Sequence, residues 1–394
     1  MLKFGALPFW WGFFMYKGVK RVLDKHEKWM AIAIKEARKG RGKTYKNPLV
    51  GAVIVKADRL IGKGYHASYG DVHAEVNAFQ NVSNPEETKH SSIYVTLEPC
   101  AHHGKQPPCC EKIVEMGIEH VYVAQLDSNP LVRGKGVAYL EAHGIKVTIG
   151  VLEKEAEQLN PAFHFFHRHR RPLVTLKQAV TIDGKTNSSA ASRTYLTDEK
   201  TSEDVQQLRM GSQAILVGSE TVLIDDPALT IRSNVVPYPP VRIVLDRRGR
   251  TVDQKFQLWR DGLAETWLFT GNEPDINFAE HVRVFVDPDW TTEKVIRILA
   301  EEGIQSLCIE GGAAIHDAFL AAGKVDRIVS YVAPYLLGGN ARPAVASKRQ
   351  TDALTAFELS HVEQLKEDVK LVYHRREADK CLPESSERSV RSLR

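Results

Sequence analysis

The sequence predicts an α/β protein built from two different domains, and three observations lead to that prediction. The chain has 394 residues, which at about 150 residues per domain is more than one small core uses. Short apolar segments of strand length alternate with segments of helical periodicity. No internal repeat relates the two halves of the chain, so we expect each half to have its own fold.

The first half begins with helical periodicity over residues 27–38, and a basic, glycine-bearing loop follows it. Strands and helices then alternate, which is typical of an α/β layout around a central sheet. Strands are predicted at 49–55, 92–97, 120–125 and 146–151, and helices around 73–81, 109–116 and 136–142.

The second half begins after residues 163–172 (FHFFHRHRRP), a basic and aromatic stretch that ends in proline. We interpret this stretch as a solvated connector between the two halves. The alternative is a nucleic-acid-binding patch, which is the more specific functional interpretation. Strands are then predicted at 173–181, 214–218, 241–246, 266–270, 282–286, 306–309 and 328–333. The expected organisation is an extension at 1–24, domains at 25–169 and 170–376, and a polar tail at 377–394, with both ends poorly ordered.

Composition and charge exclude several classes of protein. Hydrophobic residues make up 43% and charged residues 26% of the chain, so it is neither collagenous nor broadly disordered. The net charge of +4 is too small to indicate a nucleic-acid partner by itself. Residues 4–16 are apolar but too few to span a bilayer, and the charges that follow them are in the wrong order for a signal peptide. We expect no membrane partner, although an interfacial anchor is a minority alternative.

Three of the five cysteines lie between residues 100 and 110, which suits a metal site in a reducing compartment better than a disulfide framework. A cytoplasmic location is therefore expected. The motif His73-Ala74-Glu75 precedes Pro99-Cys100 and Cys109. One imidazole and two thiolates supply three ligands of tetrahedral zinc and leave the fourth position to water, as in catalytic sites.

Glu75 lies two residues beyond the histidine ligand and can act as a proton carrier. Zinc lowers the pKa of a bound water toward about 7, so a nearby carboxylate can take its proton and pass it to a leaving amine. The sequence therefore predicts hydrolytic deamination of an amino-substituted heterocycle. Nucleobase deaminases have a C-x-x-C spacing, whereas this chain has C-x8-C. Two alternatives stay open: Cys110 as the third ligand, and an ordinary helix start with core thiols.

The second half lacks the G-x-G-x-x-G motif of an ordinary dinucleotide-binding fold. Glu310-Gly311-Gly312 instead follows an apolar strand and enters a helix, whose unpaired amides could cradle phosphate oxygens. Residues 217–232 form a polar loop that opens with glycine and ends with an arginine. Neither feature by itself indicates a phosphate site, since an ordinary strand-to-helix turn has the same sequence pattern.

Taken together, the two halves resemble the bifunctional riboflavin biosynthesis deaminase-reductases of bacteria. The resemblance rests on NPLVGAVIV, HAEV and TLEPCAHHGKQPPCC in the first half and on LKQAVTIDGK, ILVGSETVLIDDPALTIR and IEGG in the second. It runs from about residue 26 to about residue 374. It implies a cytidine-deaminase-like three-layer domain followed by a dihydrofolate-reductase-like domain.

The resemblance also implies two consecutive reactions and their cofactors, Zn²⁺ and NADPH. The first removes the ring amine of 2,5-diamino-6-(5-phosphoribosylamino)pyrimidin-4(3H)-one, and the second reduces 5-amino-6-(5-phosphoribosylamino)uracil to the ribityl compound. These small-molecule pyrimidine phosphoribosyl substrates are the expected partners, with a homo-oligomer as a further expectation.

Residue by residue, the resemblance places His73, Cys100 and Cys109 on zinc and makes Glu75 the proton shuttle. Lys177 lies where proton movement at the sugar carbon would be assisted. The residues expected to meet NADPH are Ala179, Tyr195, Thr221, Asp225, Gly312, Ala313, Ala314 and Ile315. The residues expected to meet substrate are Arg193, Arg209, Leu229, Arg232 and Glu310.

Two departures from the family pattern bear on the second activity. Residues 190–193 read AASR where the family has a Ser-Gly-x-Ser stretch, and Tyr195 replaces a tryptophan. One competing hypothesis is therefore an active deaminase with an impaired reductase, because Arg193 stands where a small hydroxyl is usual. Two further hypotheses are a deaminase that acts on bases in nucleic acid and a zinc-stabilised interaction protein.

Overall fold

The computed structural model describes residues 23–103, 107–188, 194–232, 236–253, 255–348, 350 and 354–376. Apart from Leu23 and Asp24, the two ends that the sequence predicts to be poorly ordered lie outside these residues. The chain divides into two compact units. The first comprises the residues up to Gly40 with Leu49–Asp127 and Leu131–Leu159, and the second comprises Arg41–Pro48, Ser128–Pro130 and the chain from Asn160 onward.

The first unit contains a five-stranded sheet in the order β2-β1-β3-β4-β5. Strand β1 pairs antiparallel with β2 and β3, whereas β3, β4 and β5 are mutually parallel. The strands are β1 (Gly51–Lys56), β2 (Arg59–Tyr65), β3 (Ser92–Val95), β4 (His120–Val123) and β5 (Lys146–Ile149).

Helices cover both faces of this sheet, so the unit has three layers. Side chains alternate across β1: Val53 and Val55 pack under the first helix, while Ala52 and Ile54 pack against the helices on the other face. The first helix begins at a capping box in which Asp24 and Glu27 satisfy each other's backbone N–H groups. The helices are α1 (Lys25–Ala37), α2 (Ala74–Gln80), α3 (Cys109–Glu115), α4 (Lys135–Ala142) and α5 (Glu153–Glu157).

The second unit contains a nine-stranded sheet in the order β11-β10-β9-β8-β12-β6-β13-β16-β15, with a separate pair β14-β7. The strands from β11 to β13 are parallel, and β16 and β15 continue the sheet antiparallel. The strands are β6 (Leu173–Thr181), β7 (Lys185–Asn187), β8 (Ala214–Gly218), β9 (Val241–Asp246), β10 (Thr266–Thr270), β11 (Val282–Val286), β12 (Ser306–Ile309), β13 (Arg327–Ala333), β14 (Arg342–Pro343), β15 (Phe357–Leu365) and β16 (Asp368–Arg375).

Helices again flank the sheet of the second unit. Leu216 and Ile243 belong to the core that holds the side chains of α9 and α10, whereas Ile215 and Val217 point to the opposite face with Val222 of α8. The helices are α6 (Pro161–His169), α7 (Glu199–Met210), α8 (Ser219–Asp225), α9 (Thr292–Glu301) and α10 (Ala313–Ala321).

The structure confirms the predicted α/β class and the two different folds, and it corrects two local predictions. The stretch 163–172 is not an irregular connector, because most of it lies in α6. Pro161 occupies the first turn, where its missing N–H costs nothing, and the ring of Phe163 meets that of His167, one turn later, edge to face. The terminal hairpin β15–β16 is absent from the predicted strands, because most β15 residues are exposed and polar residues interrupt its apolar pattern, as is common in an edge strand.

Within the described residues, no helix has both the length and the apolar composition needed to cross a bilayer.

Candidate active sites

Three predicted metal ligands converge at helix starts and a turn of the first unit. His73 is the N-cap of α2, Cys100 follows the turn after β3, and Cys109 is the first residue of α3. The Nδ1 atom of His73 lies 3.2 Å from Sγ of Cys109 and 3.5 Å from Sγ of Cys100. The three ligand atoms lie within 4.8 Å of one another, and they form the one such histidine, cysteine and carboxylate cluster found among the described residues.

These separations fit a tetrahedral zinc ion. Zn–N and Zn–S bonds of about 2.0–2.3 Å at tetrahedral angles place neighbouring ligand atoms roughly 3.5 Å apart. Hydrogen bonds from the thiol of Cys109 and then from His73 lower the pKa of Cys100 to about 4, although burial opposes this shift. One imidazole and two cysteine sulfurs are ligands that zinc prefers, and Cys100 already favours the thiolate, the form of cysteine that binds metal.

Glu75 lies in the first turn of α2, beside the three ligands, and is 3% exposed. Burial raises the pKa of its carboxyl group, while the charge of His73 and a hydrogen bond from the thiol of Cys109 act in the opposite direction. A carboxylate held next to a metal site with its pKa moved upward is suited to accept a proton and to release it.

Cys110, the alternative third ligand, is turned away from this cluster. Its thiol donates to the carbonyl oxygens of Pro99 at 3.3 Å and of Gly136 at 3.5 Å. Burial raises the pKa of this thiol. The contacts are those of a core thiol that joins α3 to α4.

His66 is a neighbour to which the sequence assigned no role. It is 3% exposed, and its ring centroid lies 5.8 Å from that of His73 in an edge-on arrangement. Its Nδ1–H donates to the carbonyl of Val72 at 3.1 Å, and burial lowers its pKa, so the neutral ring is favoured. A histidine that follows a strand has no sequence signal of its own, because only the tertiary fold brings it to His73.

The second candidate site lies at the carboxyl ends of the parallel strands β8 and β12. Ligands of open parallel sheets bind where connections leave in opposite directions, and here α8 and α10 leave from neighbouring strands on opposite faces. A Cβ on Gly311 would lie 2.6 Å from Oγ1 of Thr221, and a Cβ on Gly218 would lie 2.8 Å from Cγ1 of Ile315. Glycine is therefore required where the starts of the two helices approach each other.

Gly312 opens α10 with φ +89°, a backbone conformation that favours glycine. The first N–H groups of a helix lack intrahelical partners and point toward its N-terminal side. Thr221, Gly312 and Ile315 thus mark the two helix starts at the carboxyl ends of β8 and β12, and we call the space beyond these strand ends the crevice. Unpaired N–H groups at helix starts suit the phosphates of a dinucleotide.

Arg209 and Glu310 meet beside this crevice. Nε of Arg209 lies 2.6 Å from Oε1 of Glu310, Nη2 lies 2.8 Å from Oε2, and Nη1 donates to the carbonyl of Thr230 at 2.9 Å. Burial alone would raise the pKa of Glu310, but Arg209 holds it below its usual value, with further help from Lys177 and Arg232. The ion pair therefore also holds the segment that contains Leu229, which is 3% exposed and has φ +50°.

The other predicted contacts are less closely grouped. Ala179 packs against the buried cluster of Val329, Tyr331 and Leu365, whereas Tyr195 is 80% exposed. Asp225 ends α8, and the backbone N–H of Arg232 donates to Gln206 at 2.8 Å. Ala313 and Ala314 are the first two residues of α10. Arg193 lies outside the described residues.

Comparison with known families divides the chain in the same order. Residues 23–125 match the cytidine and deoxycytidylate deaminase zinc-binding region, and residues 172–371 match the RibD C-terminal domain. The first match contains His73, Glu75 and Cys100, and the second contains the crevice between β8 and β12.

Whole proteins with both parts are similar over most of this chain. The riboflavin biosynthesis protein RibD of Bacillus amyloliquefaciens is 41% identical over 355 residues, which is 88% of this chain and 95% of that protein. RibD of Escherichia coli is 38% identical over 332 residues, or 80% of this chain and 89% of that protein.

Solved structures agree with these sequence relatives. A RibD structure from Acinetobacter baumannii has a TM-score of 0.82 at 35% identity and covers 89% of this chain and 99% of its own. A diaminohydroxyphosphoribosylaminopyrimidine deaminase/5-amino-6-(5-phosphoribosylamino)uracil reductase from Thermotoga maritima has a TM-score of 0.82 at 34% identity, with coverage of 89% and 99%. The chain therefore belongs to the RibD family of riboflavin biosynthesis, bifunctional enzymes with a zinc-binding deaminase domain and an NADPH-using reductase domain.

Proposed function

We propose that residues 25–169 deaminate 2,5-diamino-6-(5-phosphoribosylamino)pyrimidin-4(3H)-one and that residues 170–376 reduce the resulting 5-amino-6-(5-phosphoribosylamino)uracil. In the first reaction, water replaces the ring amine by oxygen and ammonia leaves. In the second, the ribosyl group gains a hydride and a proton and becomes ribityl. The observation that carries this proposal is the buried carboxylate of Glu75 beside the His73, Cys100 and Cys109 cluster.

His73, Cys100 and Cys109 would hold the zinc ion. With three protein ligands, zinc supplies Lewis acidity and lowers the pKa of water at its open position. Glu75 accepts a proton from the attacking water and delivers it to the amine, which then leaves as ammonia. Its burial, with an exposed fraction of 3%, keeps bulk water from competing for that proton.

NADPH would lie in the crevice formed by Thr221, Gly312, Ala313, Ala314 and Ile315, with Ala179, Tyr195 and Asp225 as further contacts. The cofactor supplies the hydride. Helix-start amides orient its phosphates, and the glycines leave room for the backbone to approach closely. Lys177 is close enough to Glu310 to lower its pKa, and its ammonium group is the proton source that we assign to the sugar.

The substrate would lie against Arg193, Arg209, Leu229, Arg232 and Glu310. The two arginines of this set with described contacts differ in what they hold. Arg209 directs three N–H groups at Glu310 and Thr230, so we assign it the orientation of Glu310. Arg232 is exposed, and its guanidinium is the fork that we assign to the substrate phosphate.

The same proposal includes the identity of the substrates, the cellular location and the oligomeric state. Small pyrimidine phosphoribosyl compounds are the substrates, no nucleic acid or membrane is needed, and the enzyme acts in the cytoplasm, with a homo-oligomer as its expected state. The net charge of +4 on 394 residues gives no indication of a nucleic-acid partner.

Mass spectrometry of the products from the diaminopyrimidine substrate tests both reactions. Replacement of an amine by oxygen adds about 1 Da, and reduction adds about 2 Da more, the second only with NADPH. Glu75→Gln should abolish the first shift while zinc is retained. Glu36→Gln is the matched control, since Glu36 is a buried carboxylate of the same unit that pairs with Lys39 and Lys63. Unchanged ammonia release by Glu75→Gln would contradict the proposed mechanism.

A further inference from the structure

A second buried carboxylate lies in the first unit, two residues before one of the proposed zinc ligands. Glu98 is 4% exposed. Its Oε2 accepts backbone N–H groups from Asp127 at 3.1 Å and Gly134 at 3.0 Å, and its Oε1 accepts those of Gly136 at 2.9 Å and Val137 at 3.4 Å. A carboxylate offers about four acceptor positions, so backbone donors account for the whole capacity of this side chain.

All four donors come from the segment that joins β4 to α4 and from the first turn of α4. The carboxylate thus lies at the start of a helix, where unpaired N–H groups and the helix dipole favour negative charge. It closes a loop at both ends, because Asp127 precedes the loop and Gly134 follows it. Glu98 therefore fixes where α4 begins.

The start of α4 in turn contacts the backbone of Pro99, the residue that precedes Cys100. A Cβ on Gly136 would lie 2.0 Å from the carbonyl oxygen of Pro99, so the two backbones are in direct contact. The thiol of Cys110 donates to both Pro99 and Gly136, which ties α3 to the same place. The backbone that carries Cys100 is thus held between α3 and α4.

We propose that Glu98 is a positioning residue of the zinc site, which holds the start of α4 against the Pro99–Cys100 peptide and so sets the place of the Cys100 thiolate. The inference rests on the proposed zinc-dependent deamination. Glu98→Gln would turn one acceptor oxygen into an NH₂ group that faces backbone donors, so α4 must move away. The Cys100 sulfur would then lose its fixed distance to His73.

The experiment measures the transfer of zinc from the purified full-length chain to the chelator 4-(2-pyridylazo)resorcinol, well below the unfolding temperature. Loss of groups that orient metal ligands typically costs 10–100-fold in affinity, so we expect about tenfold faster zinc release by Glu98→Gln. Glu36→Gln is the control, because it neutralises another buried carboxylate of the same unit. Each variant is measured well below its own unfolding midpoint, and the NADPH-dependent reduction rates of the two variants should match.

A milder pair of variants keeps the test decisive if Glu98→Gln does not fold. Gly134 has φ +80° and Gly144 has φ +77°, and neither would bring a Cβ within 4 Å of another group. Alanine strains both backbones similarly, but only Gly134 donates to Glu98. Zinc release should therefore be faster for Gly134→Ala than for Gly144→Ala.

The outcomes separate this inference from the proposed function. Faster zinc release in Glu98→Gln and Gly134→Ala, relative to their controls, supports the positioning role. If each variant releases zinc at the same rate as its control, and the wild type retains zinc, the positioning role of Glu98 is overturned while the proposed function stands. A wild-type chain that neither retains zinc nor releases ammonia overturns the proposed function, and with it the inference.

Discussion

The guanidinium of Arg209 and the carboxylate of Glu310 form a two-pronged ion pair, with one prong at 2.6 Å and the other at 2.8 Å. The side chains are 9% and 6% exposed. This pair connects α7 to the end of β12 and, through Thr230, to the segment before Arg232. The ion pair of Arg209 and Glu310, two predicted substrate residues, is therefore linked to the loop that carries Leu229 and Arg232, the two others.

Arg209→Ala should impair both the stability of the second unit and its reductase activity. Removal of one partner leaves a buried charge, which typically costs about 3–5 kcal/mol of unfolding free energy. We expect the reduction rate to fall about 100-fold, because misplacement of a positioning group by about 1 Å has that effect. Denaturant unfolding and NADPH oxidation are the two measurements.

The control for Arg209→Ala is Lys200→Ala in the same helix. Lys200 forms an exposed pair with Glu203, and such pairs contribute about 0–1 kcal/mol. Ammonia release should be unchanged in both variants. A reduction rate for Arg209→Ala equal to that of Lys200→Ala would remove the assigned role of Arg209.

The stability of the second unit should depend on acid pH through Glu310. Its folded-state pKa is lowered, whereas an unfolded glutamate titrates near about 4.3. The stabilisation is therefore present above that pH and is lost as the pH falls through the folded-state pKa. Glu310→Gln should show a weaker fall in unfolding free energy between about pH 5 and pH 3 than the wild type. Parallel curves for the two proteins would contradict this assignment.

Adjacent cysteines offer a sharp test of the metal site. Cys109→Ser should lose zinc and ammonia release, because the sulfur of Cys109 lies 3.2 Å from Nδ1 of His73. Cys110→Ser should retain both, since its hydroxyl can still donate to the carbonyl of Pro99. Atomic absorption of the purified variants gives the zinc content. If Cys110→Ser lost zinc and Cys109→Ser retained it, Cys110 would be the zinc ligand and Cys109 the core thiol.

Gly311→Ala tests the crevice of the second unit. The added Cβ would lie 2.6 Å from Oγ1 of Thr221, so the start of α8 must shift. We expect the KM for NADPH to rise about tenfold, or about 1.4 kcal/mol, with ammonia release unchanged. Gly211→Ala is the control, because its Cβ would meet no atom closer than 3.5 Å. A KM equal to that of the control would place the cofactor elsewhere.

The sequence predicted regular elements well where burial imposes a pattern. Strands β6, β8 and β9 have the bounds that their apolar runs predict, because these strands lie inside a parallel sheet with both faces covered. The hairpin β15–β16 has no such run, since it lies at the edge and exposes polar side chains. Helix α6 resembles a connector in sequence because its basic residues obscure the single buried His164.

Sequence alone determined the α/β class of the two halves and the chemical type of the metal cluster, because ligand types, their order and strand periodicity are local properties of the chain. The family and its two folds followed from the resemblance of the motifs in each half. Only the tertiary structure decided which of two adjacent cysteines faces His73, and that Glu98 holds the start of α4. It also decided that Arg209 directs its guanidinium at Glu310. The contacts of His73 with Cys109, of Glu98 with Gly136 and of Arg209 with Glu310 join residues from 36 to 101 positions apart. Such pairings depend on how strands and helices pack, which no local pattern records.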